Sequence, residues 1–287
     1  MKLYGVTTTY NNEKMVPYVM KYAEWLGYTK LIIYDNGSTD RTVELLKQYP
    51  FVEVRTYETE HFCELEKLNV KLKAVFELQA LNESSDIAWV TICDFDEVYF
   101  YQDGLIGQTN CRSHFLDYLL YLFLLDYNVC TENFIGVISE KTNYNENVFL
   151  HKQGVNVGYQ APFIWNKPNL FRLDNLDKIY MGPGQHYGEV SFIDQEPKQF
   201  FNTKFLLALH LKFAFGKDYV LEMTRMYNKR GCQGKPSDEP TSIYKEEWIG
   251  NAFDEILWSS VPIQDFIKHK WLNGDDSYEH FPPKQFY

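Results

Sequence analysis

Lys30-Leu31-Ile32-Ile33-Tyr34-Asp35-Asn36-Gly37-Ser38-Thr39-Asp40 decides the fold. The apolar run at 31–34 reads as a strand buried on both faces. The turn that follows is built to open a helix: Gly37 can take a positive φ, and Ser38, Thr39 or Asp40 can cap. That helix is expected to run to about Tyr49, where Pro50 stops it. Working outward, residues 2–9 form a β-branched-rich strand. Val16, Val19, Met20, Ala23 and Leu26 then lie on one face of a helix, with Asn12 as its N-cap, Pro17 in its first turn and Gly27 past its end. Residues 51–56 read as a strand and 64–81 as a long amphipathic helix. Residues 87–93 read as another apolar strand, ending in Asp94-Phe95-Asp96-Glu97. Strands alternating with helices predict an α/β fold, a mostly parallel central sheet with helices on both faces. Beyond residue 100 the pattern predicts a buried helix at about 113–125, strands at about 133–139 and 168–173, and a helix at 217–229 stopped by Gly231. The last fifty residues read as a helical or irregular extension punctuated by Pro240, Pro262, Pro282 and Pro283.

Composition narrows the function. The 287 residues carry 28 Lys+Arg against 39 Asp+Glu, a net charge of −11, with only six arginines. A nucleic-acid binder would concentrate cations, as would a polybasic membrane anchor. A hydrophobic content of 45% excludes disorder. The five cysteines are odd in number and widely spaced, without zinc spacing, and read as free thiols in a reducing compartment. The longest apolar run, 115–125, is far short of the ~20 residues that span a bilayer. No signal-peptide core opens the chain, so the expectation is a soluble, cytoplasmic protein without a transmembrane segment.

Two strand ends carry chemistry. Side chains two apart in an extended chain point the same way, so Asp94 and Asp96 are expected to face one side while Phe95 turns to the core. In open α/β sheets ligands bind outside the carboxyl ends of the strands. Two carboxylates there repel unless a cation intervenes, and Mg²⁺ or Mn²⁺ shared with substrate phosphates would serve. A solvated acidic turn is the other reading. Asp35 and Asn36 project from the same edge if their strands are neighbours, with groups suited to a base or ribose. Thr7-Thr8-Thr9 would line it too. His210, in an apolar run, reads by itself as a core histidine.

Several segments together resemble the family 2-type glycosyltransferases of the GT-A fold, and most closely the bacterial subgroup with an Asp-x-Asp-Glu motif. They are Asn12-Glu13, Trp25-Leu26-Gly27, the 34–40 turn, and Trp89 through Asp94-Phe95-Asp96-Glu97. Lys167-Pro168-Asn169-Leu170-Phe171-Arg172, Gly182-Pro183-Gly184-Gln185-His186, His210-Leu211-Lys212-Phe213 and Lys229-Arg230-Gly231 extend the likeness in patches over roughly residues 3–245. The resemblance implies a GT-A domain over 1–215, with a nucleotide-sugar half at 1–100, an acceptor half at 101–215 and a helical extension at 216–287. It implies a nucleotide-diphosphate sugar as donor, UDP-sugar foremost, and a glycan or glycolipid acceptor, with peripheral membrane association open. Donor contacts fall on Thr7, Thr9, Glu13, Asp35, Asn36, Asp94 and His186. Asp94, Asp96 and His210 would hold Mn²⁺ or Mg²⁺, and Lys212 would support the leaving diphosphate. The acidic pair usual before an acceptor-side helix is not visible, so Glu140, Asp174 and Glu189 stand as alternative bases. Trp165, Tyr159 and Phe163 could form a sugar platform.

Two other readings use the same residues. Asp94 and Asp96 also fit the nucleophile loop of a haloacid-dehalogenase-type phosphatase, whose later acidic pair would be Asp275-Asp276. A non-catalytic sugar- or nucleotide-binding module would keep the sheet and lose the acid pair, which is present.

Overall fold

A computed structural model describes residues 1–82, 86–101, 112–160, 169–182, 188–233, 239 and 245–266. The first half alternates as its periodicity predicts: β1 (Lys2–Thr9), α1 (Val16–Leu26), β2 (Lys30–Asp35), α2 (Thr42–Leu46), β3 (Val52–Thr56), β4 (Phe62–Cys63), α3 (Glu64–Leu81) and β5 (Ala88–Ile92). Then come β6 (Glu97–Tyr101), α4 (Arg112–Leu124), β7 (Val129–Ile138), β8 (Asn156–Gln160), β9 (Leu170–Arg172), β10 (Leu176–Met181), β11 (Gly188–Phe192) and β12 (Gln199–Phe213). The last elements are α5 (Lys217–Arg230), β13 (Cys232–Gln233), α6 (Glu246–Trp258), β14 (Val261–Pro262) and α7 (Ile263–Phe266).

The central sheet runs β14-β8-β7-β9-β5-β1-β2-β3, with β12 pairing β6 and β7. Its β5-β1-β2-β3 part is parallel. Beyond it β9 pairs antiparallel with both β5 and β7, while β12 runs parallel to β7. Side chains alternate between two cores, as pleating requires. Leu3, Leu31, Ile33 and Trp89 pack on one face with Val16, Met20 and Leu26 of α1. Tyr4, Val6, Ile32, Val90 and Ile92 pack on the other with Leu68, Ala74, Val75 and Leu78 of α3. A third cluster joins Ile138 and Phe213 to Val220 of α5 and Phe253 of α6.

Local departures from expectation have physical reasons. Helix α1 starts at Val16, and Asn12 is not its side-chain cap. The Asn12 carbonyl accepts from Met15 and Val16 in a preceding turn, and its side-chain amide donates to Thr9 Oγ1. Helix α2 is one turn long, because the chain turns through Gln48 and Tyr49 back into β3. Helix α4 is buried on one face only: Phe115, Leu119 and Leu122 are inside, while Tyr121 and Leu124 are exposed. Among the described residues no helix is long and apolar enough to cross a membrane. Cys63, Cys93 and Cys130 are buried free thiols.

Candidate active site

The register of β2, β1 and β5 puts their ends side by side. Thr9 lies opposite Asp35, and Val6 opposite Ile92. The turn after β2, the threonine run of β1 and the acid motif after β5 therefore share one edge of the sheet.

The turn after β2 is laced to the loop after β1. Asn11 Oδ1 accepts from Thr39 N at 2.7 Å, and Ser38 Oγ accepts from Asn11 N at 2.8 Å. Glu13 Oε2 accepts from Arg41 N at 2.9 Å, which ties Glu13 to the start of α2. Gly37 takes φ 75°, where a side chain would strain the turn. Asp35 is buried; its Oδ2 accepts from Ser38 N at 3.0 Å, and its buried Oδ1 has no hydrogen-bond partner among the described residues. Buried acceptors are seldom left unmade, so Asp35 Oδ1 can accept from a water or a bound group. Asn36 is fully engaged instead. Its Oδ1 accepts from Thr59 N and from Arg230, and its Nδ2 donates to Thr59 Oγ1. Thr7 is buried, its hydroxyl without a hydrogen-bond partner among the described residues, and Thr9 Oγ1 accepts from Asn12.

The acid motif is not extended: Glu97 N donates to Asp94 O at 3.0 Å, closing a turn. The two aspartates therefore take different partners. Asp94 Oδ1 accepts from Lys67 Nζ at 2.8 Å and from Lys71 Nζ at 2.9 Å. Both lysines are buried, Lys71 completely, and Lys71 also donates to Cys93 O. Burial pushes the Lys71 ammonium below its ordinary value despite Asp94. Burial acts on Lys67 the same way, but Asp94 and Glu64 outweigh it and hold that ammonium well above the usual range. Asp96 Oδ2 sits 3.1 Å from His210 Nε2 on β12, and Leu211 N fastens the turn through Asp96 O at 2.7 Å. Burial would raise the Asp96 carboxyl, yet His210 and, more weakly, Lys212 hold it below the usual range.

These donors can be tested against a divalent metal. Two cis ligands at about 2.1 Å from an octahedral Mg²⁺ are roughly 3.0 Å apart. The 3.1 Å between Asp96 Oδ2 and His210 Nε2 is that of a direct hydrogen bond, which a metal held by both side chains would replace. Asp94 Oδ1 is committed to two ammonium groups. Among the described residues no three His, Cys, Asp or Glu side chains are grouped to hold an ion, so substrate oxygens would have to complete the shell.

The base candidates separate by strand direction. Strand β7 runs parallel to β12, so Glu140, just past its end, is on the edge where Phe213 ends β12. Asp174 follows β9, which is antiparallel to β5, and lies at the opposite edge, ion-paired to Arg172. Glu189 is exposed on the β10–β11 hairpin, opposite Tyr180. His186, Trp165, Phe163 and Asp275-Asp276 fall outside the described residues, and so does the side chain of Tyr159.

Sequence reading missed Lys67, Lys71 and Arg230 as partners, though a signal for the lysines existed. Positions 67, 71, 74, 75 and 78 form one helical stripe, and the first two are lysines where the others are apolar. A lysine on a buried stripe requires a carboxylate.

Residues 4–120, less than half of the chain, match the model of glycosyltransferase family 92. That segment is similar to glycosyltransferase sequences. The matched segment contains Asp35, Lys67, Lys71, Asp94 and Asp96, while His210 and Arg230 lie beyond it. The family matched is 92, where the motifs read alone resemble family 2-type enzymes; both are glycosyltransferase families. No curated protein matches the chain. Among solved structures, S. aureus TarS is 15% identical over 93% of this chain, with a TM-score of 0.42, and the chain spans only 45% of its length. The 4-diphosphocytidyl-2C-methyl-D-erythritol synthase of Anaerococcus prevotii is 10% identical, covering 89% of this chain and 96% of that one, with a TM-score of 0.28. The UTP-bound UGPase of Acinetobacter baumannii is 14% identical, covering 60% and 72%, with a TM-score of 0.25. At these TM-scores the likenesses carry no functional weight.

Proposed function

We propose that the whole chain is a GT-A-type glycosyltransferase that binds a nucleotide-diphosphate sugar at the β2-β1-β5 edge and passes the sugar to a glycan or lipid-linked saccharide. The observation that carries this reading is the placement of Asp35, whose buried Oδ1 no described residue hydrogen-bonds, and of the Asp94–Asp96 turn at the ends of the two parallel strands that flank β1. Asp35 Oδ1 suits an N–H or hydroxyl of the nucleoside. Asp96 and His210 fit Mn²⁺ or Mg²⁺, which would neutralise charge on the leaving diphosphate. Lys67, Lys71 and Lys212 bring positive charge to this edge of a chain whose net charge is −11. In an inverting displacement the acceptor hydroxyl attacks the anomeric carbon, the bond to the diphosphate oxygen breaks, and a carboxylate takes the hydroxyl proton. Glu140 is the base candidate on the required edge. UDP-sugar is the first donor to try, in a cytoplasmic enzyme whose 1–215 domain is completed by α5.

The test is a thermal-shift screen of nucleotide sugars with and without Mn²⁺, followed by product analysis with saccharide acceptors. A bound donor at a hundredfold excess over Kd stabilises by about 2.7 kcal/mol. Silence across UDP-, GDP-, CDP- and dTDP-sugars, with Mg²⁺-dependent release from p-nitrophenyl phosphate, would replace this reading with the phosphatase one.

A further inference from the structure

Arg230 ends α5, in the segment the sequence assigns to an extension, yet its side chain reaches the nucleotide half. Its Nη1 donates to Asn36 O at 2.8 Å, and its Nη2 to Asn36 Oδ1 at 2.9 Å and to Thr59 O. Its guanidinium carbon lies 4.5 Å from the Tyr10 ring centroid, within cation–π range. The Arg230 main chain is held from the other side. The His61 ring donates from Nδ1 to Arg230 O at 2.7 Å, since a carbonyl can only accept. Phe62 N donates to Gly231 O at 3.0 Å, and Gly231 takes φ 76° as the chain turns into β13, which pairs with β4. One guanidinium thus joins the loop after β1 (Tyr10), the turn after β2 (Asn36) and the loop after β3 (Thr59), across 194 positions of sequence. Tyr227, one turn earlier on α5, packs its ring near both Tyr10 and Phe62.

We infer that Arg230 is a positioning residue of the donor pocket: it pins the Asn36–Thr59 contact and so sets the direction of the open Asp35 oxygen next to it. The inference rests on the glycosyltransferase reading above and deepens it, by making α5 a wall of the nucleoside site. Arg230 touches no reacting atom in this account. The guanidinium spreads these bonds over Nη1 and Nη2 in one fixed plane, and the single nitrogen of an ammonium does not reproduce that spread, so lysine is a poor substitute.

The experiment titrates UDP with Mn²⁺ into wild type, Arg230→Met and Arg230→Lys by calorimetry, and splits kcat from KM for the donor. Loss of charge-assisted hydrogen bonds of this kind is expected to weaken UDP binding about tenfold or more in Arg230→Met. Donor KM should rise in step, while kcat at saturating donor and acceptor KM stay within about threefold of wild type. Arg230→Lys should recover little of the affinity. A merely structural role lowers the active fraction, hence apparent kcat, and leaves Kd unchanged; that outcome overturns the assignment. If Arg230→Met does not fold, Arg230→Lys carries the test, and wild-type affinity in it likewise overturns the assignment. Absence of UDP, GDP, CDP and dTDP binding to wild type would defeat the glycosyltransferase reading and this inference with it. Binding to wild type that Arg230→Met retains defeats this inference alone.

Discussion

Lys71, completely buried on α3, places its ammonium 2.9 Å from Asp94 Oδ1, and Lys67 one turn earlier approaches the same oxygen at 2.8 Å. Two buried cations share one carboxylate, so Asp94 is an internal counter-ion whatever else it does. Asp94→Asn leaves the Lys71 ammonium without its carboxylate and Lys67 with Glu64 alone, and should destabilise the fold by about 3–5 kcal/mol. Lys71→Met should cost less, because Asp94 keeps Lys67. Urea denaturation of both variants and of the double variant checks this: if the double variant is no more stable than Asp94→Asn, Lys71 is not the residue left unpaired.

Asp96 and His210 stand apart from that network, 3.1 Å from each other. Asp96→Ala is expected to abolish metal-dependent donor turnover, and His210→Ala to weaken Mn²⁺ affinity by about 10- to 100-fold, a range typical of groups that hold or orient a metal ligand. Manganese titration of donor hydrolysis measures both. Excess EDTA should silence the wild type. Activity that persists in EDTA would leave Asp96 and His210 as a structural pair.

Gly5 sits in β1, at the centre of the parallel half. A Cβ there would come within 2.6 Å of the Tyr28 ring and 2.7 Å of Leu31 Cδ1. Gly5→Ala should therefore cost about 1–3 kcal/mol by overpacking. A thermal melt reads the loss; an unchanged Tm would mean that Tyr28 and Leu31 can move aside.

His151 is buried between Tyr22, Phe100 and Phe149, and Tyr22 Oη lies 2.9 Å from its Nδ1. Burial, helped by the nearby Lys152 charge, pushes its pKa from 6.5 down to about 3. Between those values the unfolded chain takes up a proton that the folded chain refuses. This contribution to stability is therefore complete above pH 6.5 and declines as the pH falls toward 3, by up to about 1.4 kcal/mol per pH unit. His151→Gln should remove that slope relative to wild type in urea titrations at pH 7.5, 6 and 5. Parallel slopes in the two proteins would contradict it.

Much of the site's placement is already legible in the chain. The apolar run at 31–34 followed by Asp35 through Asp40, and the run at 88–92 followed by Asp94 through Glu97, encode strands that end in acids. Both signals are local, carried by residues a few positions apart, and local periodicity is what a sequence displays directly. The bounds of α3 follow in the same way. Other elements escape because their patterns are short or two-sided: β6 follows a turn inside the acid motif, and β12 is a strand of which only the apolar run before His210 stands out.

The sequence by itself determined that a parallel α/β half exists and that its strands end in carboxylates. Only the tertiary structure decided what those carboxylates face: two buried lysines for Asp94, His210 for Asp96, and for Asn36 an arginine from a helix 194 positions away. The physical reason is that secondary structure is set by neighbours in the chain, whereas the partner of a buried charge is set by strand order and helix packing. Desolvation makes that partner obligatory, but no local pattern names it.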